Sequence, residues 1–276
     1  MNAGTVVLAL MIVVAAAISV LLLGSAREAG QLRRTWSALE SAGPNRGFDP
    51  SMVEGLPEPA RRWLLRAIRP GTPLARSATL RMHGTIRLQA GAEPWPMRAE
   101  QVLAPPAGFV WKAEVGRGVM RIRGFDSYAA GRGRLRWRLW GLVPVVNQSG
   151  ADTDRSAAGR LGGEAALVPS VLLPRYGAVW EAVDDSTARF ILHVGEEEVA
   201  STVTVDDAGR LMRVVIRRWN GDETNGPVGY IPFVVTFEGE SHFGGYTTPA
   251  RLTAGWERDG RPDPFFVAEL DDVDYR

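Results

Sequence analysis

Residue types able to do chemistry are sparse in this chain. Three histidines, His83, His193 and His242, are dispersed along it, so they share a metal only if the fold gathers them; exposed surface histidines are the alternative. Asp152 and Asp154, spaced D-x-D, could ligate a hard cation with help from Glu164, and equally suit helix N-capping and turn formation. Arg160 and Glu164 stand four residues apart, which puts them on one helix face. That spacing makes an ion pair, or the polar mouth of an apolar pocket. Four of the nine tryptophans, Trp111, Trp137, Trp180 and Trp256, fall in strand-like segments, mostly on apolar phases. They supply bulk for a core, or the lining of a groove for an acyl chain or another apolar ligand.

The remaining chemistry is excluded by what is missing. Zero cysteines remove disulfides, thiolate zinc sites and cysteine nucleophiles together. The sequence has no G-x-S-x-G elbow, H-E-x-x-H pair, phosphate-binding G-x-x-x-x-G-K-[ST] loop or dinucleotide glycine fingerprint. A formal charge of +1 gives no electrostatic case for nucleic acid. The candidate set is therefore a ligand-binding one, Trp111, Trp137, Trp180, Trp256, Arg160 and Glu164, with no catalytic residue, metal or cofactor assigned.

The chain opens with its most distinctive element. From Val6 to Leu23 every residue is apolar except Ser19, and no charged side chain precedes Arg27. At ~1.5 Å per residue this run covers about 27 Å, close to the ~30 Å hydrocarbon core of a bilayer, so residues 1–26 read as a transmembrane anchor. Cleavage after the small residues Gly24-Ser25-Ala26 is the competing reading, and the absence of a basic segment before the run argues against it. Arg27, Arg33 and Arg34 would hold that flank in the cytoplasm, yet a long downstream domain can translocate regardless of charge. The reading adopted is a single-pass protein of the cell membrane with an extracytoplasmic β domain.

Residues 27–72 read as a helical linker and a short helix. Leu32, Trp36 and Leu39 extend the first helix to about Ala42; Pro57 and Pro59 start a second, whose apolar stripe is Trp63, Leu64 and Ile68. From residue 73 to 276 the period becomes two. Alternation predicts strands over Ala78–Gln89, Phe109–Val115, Arg134–Leu139, Phe190–Val194, Val199–Val205, Leu211–Trp219, Ile231–Phe237, Leu252–Trp256 and Phe265–Val273. Leu80, Ile86, Trp111, Trp137, Val203, Ile216, Phe237 and Trp256 take the inward phase. Residues 152–173 interrupt the strands with a helical pattern, placed to cover the concave face as a plug or lid, with Asp152 or Asp154 as N-cap. The fold class is mainly β: a transmembrane helix followed by one large curved antiparallel sheet or half-open barrel with a short helical insertion.

Several short runs carry a family resemblance: Leu56-Pro57-Glu58-Pro59-Ala60-Arg61-Arg62-Trp63-Leu64, Gly108-Phe109-Val110-Trp111, Gly131-Arg132-Gly133-Arg134-Leu135, Gly141-Leu142-Val143-Pro144-Val145, Arg160 with Glu164 and Pro169, Val179-Trp180-Glu181, and Gly229-Tyr230-Ile231-Pro232. Together they resemble a bacterial family of unknown function, whose members often carry an N-terminal membrane segment, over residues 50 to 274. The resemblance implies no mechanism. More loosely, the expected fold resembles the half-open barrel of lipoprotein-sorting proteins, which implies a curved sheet able to hold acyl chains. Three function classes follow: a membrane-anchored envelope protein binding a lipid-like ligand in a sheet-lined groove, a structural or protein-binding envelope module, and, third, an enzyme. The partners expected are the bilayer through residues 6–23 and a lipid-like ligand.

Overall fold

The computed structural model describes residues 3–40, 46–223, 226–258 and 260–276. It divides into two units, Met1–Ala38 and Leu39–Arg276.

The first unit is a single helix, α1 (Ala3–Leu39), which passes residue 26 without a break. It ends three residues before the expected Ala42. The run 6–23 lies within α1, and most of its side chains fall outside the described residues. Among the described residues, no helix is long and apolar enough to cross a membrane. The membrane-spanning reading thus rests on the sequence.

The second unit begins with a 3₁₀ turn (Pro50–Val53), where the Asp49 carboxylate accepts the Ser51 amide at 2.9 Å. Helix α2 (Glu58–Ala67) follows. Pro57 caps it, Pro59 sits in its first turn, and Trp63, Leu64 and Ala67 form its buried face.

Thirteen strands come next: β1 (Ala78–Ile86), β2 (Trp95–Ala104), β3 (Gly108–Arg117), β4 (Met120–Ala129), β5 (Arg132–Leu139), β6 (Val143–Ser149), β7 (Val179–Ala182), β8 (Thr187–Val194), β9 (Glu197–Val205), β10 (Leu211–Asn220), β11 (Gly229–Phe243), β12 (Tyr246–Arg258) and β13 (Arg261–Tyr275). They form one antiparallel sheet in the order β6-β5-β4-β3-β2-β1-β13-β12-β11-β10-β9-β8-β7. Each strand pairs with its sequence neighbour, except that β1 pairs with β13 and that β6 and β7 are the two edges.

The chain crosses between those edges through helix α3 (Ala151–Glu164) and a run of 3₁₀ turns ending at Tyr176. Gly150 launches α3 straight from the β6 edge, at φ 110°, a backbone conformation that side chains with a Cβ rarely adopt. Because of that turn the helix starts at Ala151, and Asp152 and Asp154 fall inside its first turn rather than at the cap. There they complement the positive end of the helix dipole.

Contacts of α3 fix the sheet's curvature. Asp154 Oδ1 accepts the Gly133 amide of β5 at 2.7 Å, while the Arg155 guanidinium lies 3.9 Å from the Glu197 carboxylate of β9. In a flat sheet β5 and β9 would stand nine strand spacings apart, about 43 Å at ~4.8 Å each, whereas a helix is ~10–12 Å across. The sheet therefore curls around α3. A direct bond spans the same gap: the Tyr128 hydroxyl of β4 donates to the Val194 carbonyl of β8 at 3.4 Å.

Of the eight expected inward residues, Leu80, Trp111, Val203, Ile216, Phe237 and Trp256 are buried, and Ile86 and Trp137 are half-buried against the core. Strands β2, β4, β6 and β7 were not foreseen. Polar residues interrupt the inward phase of β2 and β4, β6 is an edge strand with no buried residue, and β7 has four residues.

Candidate functional site

The inward phase of several strands carries polar residues where the alternation calls for apolar ones. Cross-strand register aligns Gln101 of β2, Trp111 of β3, Asp126 of β4 and Leu135 of β5 in one row. On β10, Arg218 follows the buried Val214 and Ile216 at the same two-residue period. Helix α3 lies over this floor and lowers Arg160 and Glu164 onto it.

The result is a tightly satisfied network. Arg160 Nε donates to Glu164 Oε1 at 2.7 Å, and its Nη1 donates to Asp126 Oδ2 at 3.0 Å. Gln101 Nε2 donates to Glu164 Oε2 at 2.6 Å, and Trp137 Nε1 donates to Asp126 Oδ1 at 3.0 Å. Every carboxylate oxygen of the pair thus has a donor. The Arg160 guanidinium also sits 4.6 Å from the Phe109 ring centroid and 5.2 Å from that of Trp111.

Arg218 is placed differently. Its Nε donates to the Ser156 carbonyl at 3.0 Å, and its guanidinium lies over Phe233 at 5.0 Å and Trp256 at 5.4 Å. Among the described residues it forms no ion pair, and the two nearby carboxylates, Glu164 and Asp126, act on it only through their charge. Trp111, 3% exposed, is the second under-used donor: its indole N–H has no partner among the described residues.

Electrostatics follow from burial. Desolvation pushes the Asp126 carboxyl above the ordinary range, against the opposing pull of Arg160 and the Trp137 hydrogen bond. Burial and then the charge of Arg160 push Arg218 down, to about 10, so it remains a cation at neutral pH. For Arg160, burial alone would lower the pKa, but Glu164 and Asp126 together outweigh it and raise it.

Five of the six candidate residues meet here. Arg160 and Glu164 pair, Trp111 and Trp137 lie 5.6 Å apart, and Trp256 stacks on Arg218. Trp180 is elsewhere, packed on Trp63 and Phe190 with its Nε1 bonded to the Leu172 carbonyl at 2.8 Å. Sequence reasoning missed Gln101, Asp126 and Arg218. The signal for Arg218 was legible, since it stands two residues beyond Ile216 on the same phase; Gln101 and Asp126 were hidden with their strands.

The histidines stay apart, on β1, β8 and β11, each beside its own polar neighbour: Asp271 for His83, Glu198 for His193 and Thr247 for His242. Among the described residues, no group of three His, Cys, Asp or Glu side chains could hold a metal ion. Asp152 and Asp154 diverge toward Arg155 and toward Gly133 with Arg132.

Residues 46–268 match the model of a family of unknown function, DUF6544. No curated protein matches the chain significantly. Among solved structures it is similar to a LolA superfamily protein from Nitrosomonas europaea, at 9% identity and a TM-score of 0.43, over 79% of this chain and 92% of that one. A putative outer membrane lipoprotein-sorting protein domain from Vibrio parahaemolyticus is similar at 9% identity and 0.37, over 72% and 85%. A DUF1329 family protein from Desulfovibrio piger stands at 11% and 0.37, over 73% and 86%.

Proposed function

This chain belongs to a family of unknown function, DUF6544, so its own geometry has to supply the reading, and we propose that it binds an amphiphile with an acidic or oxygen-rich head beneath α3, inside the curled sheet. The observation that carries this is Arg218: a half-buried guanidinium with no carboxylate partner among the described residues, set on two aromatic rings. A cation in low dielectric without a directly paired counter-charge is costly, and an anionic head would relieve it. The unpartnered Trp111 indole supplies a second donor, and Phe233, Trp256 and Phe266 offer apolar surface for a chain. Burying ten methylenes would contribute on the order of 8 kcal/mol before association costs of several kcal/mol, which allows micromolar binding.

The long apolar run at residues 6–23 supports the rest of the proposal, a single-pass anchor in the cell membrane with the β domain on the extracytoplasmic side. The seating of α3 favours a second reading. A Cβ on Gly162 would come within 2.7 Å of Val199 Cβ, so this part of the interior is closely filled, as a purely structural or protein-binding module would require. Mass spectrometry of small molecules extracted from the gently purified chain, with titration of a fluorescent fatty acid into residues 39–276, separates the two. Saturable binding supports the carrier reading; no co-purifying amphiphile and no saturable binding would overturn it.

A further inference from the structure

A second feature lies outside the cluster, at one end of the sheet. The turns β1–β2, β3–β4 and β5–β6 all emerge there, and they expose Leu88, Val119, Trp140 and Leu142, with Val143 and Val145 beside them on the edge strand. Val119 is 85% exposed and Trp140 55%. Exposed apolar side chains scattered singly need no explanation, but a cluster on adjacent turns marks a contact surface.

Trp140 is held outward by its surroundings. Its backbone takes φ 52°, unusual for a bulky residue, its amide donates to the Arg121 carbonyl at 2.7 Å, and its indole N–H donates to the Val119 carbonyl at 3.0 Å. The indole is thereby fixed across the neighbouring turn, with its polar edge satisfied and its apolar ring available.

Charge identifies the partner. Residues 86–95, 114–125 and 136–145 carry Arg87, Arg117, Arg121, Arg123, Arg136 and Arg138 against two acids, Glu93 and Glu114, the latter itself held by Arg121 and Arg123. An apolar tip with tryptophan at its shoulder and an arginine collar fits an interface of anionic headgroups over hydrocarbon. Strand addition by a protein partner fits less well. Pro144 removes an N–H from the edge strand β6, and a register shift at Trp137/Arg138 further blunts that edge.

We infer that the tip formed by Val119, Trp140 and Leu142 docks into an anionic lipid surface. This does not depend on a ligand in the interior. The test uses the full chain in nanodiscs, and the absence of native cysteine makes a single V119C substitution a unique attachment point for an environment-sensitive fluorophore. V183C, at an exposed turn beside β7, serves as control. Expected is a blue shift, with quenching by nitroxide-labelled lipid, for V119C in phosphatidylglycerol discs, a weaker response in phosphatidylcholine discs, and none for V183C; adding Trp140→Ala and Leu142→Ser should remove the V119C response. Equal responses in both disc types, or equal responses at the two labels, would overturn the inference. So would a V119C shift in lipid-free micelles that grows with protein concentration, since that outcome assigns the tip to a second copy of the chain.

Discussion

Arg160 on α3 and Asp126 on β4 share a hydrogen bond of 3.0 Å between Nη1 and Oδ2, and this bond ties the crossing helix to the half of the sheet that precedes it. Both side chains are largely buried, at 16% and 18% exposure, so the pair is shielded from the screening that makes surface bridges weak. Replacing Arg160 with Met keeps the stem and removes the charge, leaving Asp126 and Glu164 facing one another. The expected cost is ~3–5 kcal/mol, read as a fall in urea midpoint. If Arg160→Met unfolds at the wild-type midpoint, the network does not hold the helix in place.

The opposite side of α3 makes a steric prediction. Gly162 lies so close to β9 that an added Cβ would reach within 2.7 Å of Val199 Cβ, and neither backbone nor a β-branched side chain yields easily. Gly162→Ala should destabilise by ~1–3 kcal/mol, and Val199→Ala in the same chain should recover part of the loss. Non-additivity in that double-mutant cycle is the measurement. Strict additivity would mean that helix and strand are not in contact there in solution.

What alternation can reveal explains how far the sequence could be read. Strands β1, β3, β8, β9 and β10 announce themselves because each has one buried and one wetter face, as with Leu80 and Met82 against Arg81 and His83. The helical insertion was legible for a similar reason, a change of period between two strand regions. The β4 strand was not, because Gly124, Asp126 and Ser127 break its apolar alternation; only the Trp137 indole and the overlying Arg160, which donate to the two carboxylate oxygens, make an inward aspartate tolerable. Edge strand β6 has no buried face to betray it. The site was half legible: Arg160 and Glu164 show their pairing through local spacing, whereas their partners Asp126 and Gln101 lie 34 and 63 residues away in sequence and meet them only through the curl of the sheet.

Asp126 gives the cluster a pH signature of known sign. Its folded-state pKa lies above the ordinary 3.8, chiefly through burial, so the folded protein holds this proton more tightly than the unfolded chain. Its contribution to stability is fully present below pH 3.8 and is lost as pH rises through the raised value. The stability of the wild type relative to Asp126→Asn should therefore fall from about pH 4 upward, then level off once the carboxyl has ionised. Urea midpoints of both proteins at several pH values test this. A difference that grows with pH would mean that Arg160 dominates over desolvation.

Arg218 supplies the last prediction, which bears on ligand rather than on stability. If an acidic head docks on its guanidinium, removing the charge should weaken binding of a fluorescent fatty acid while leaving its uncharged alcohol analogue nearly unaffected. Hydrogen bonds to charged groups contribute about 1.5–3 kcal/mol, so Arg218→Gln should raise the Kd of the acid by roughly ten- to a hundredfold. Because burial and Arg160 lower the Arg218 pKa only to about 10, the guanidinium keeps its proton through neutral pH, and the acid's affinity should stay level from about pH 7 to 9 and decline above 10. Glu164 and Asp126 act on Arg218 through their charge and not through a direct ion pair, while their oxygens accept from Arg160, Gln101 and Trp137, which leaves the guanidinium face for the acidic head. Equal weakening of acid and alcohol in Arg218→Gln would show that the side chain merely shapes the interior by packing on Phe233 and Trp256. Saturable binding of both probes with no effect of the substitution would place the head elsewhere in the sheet.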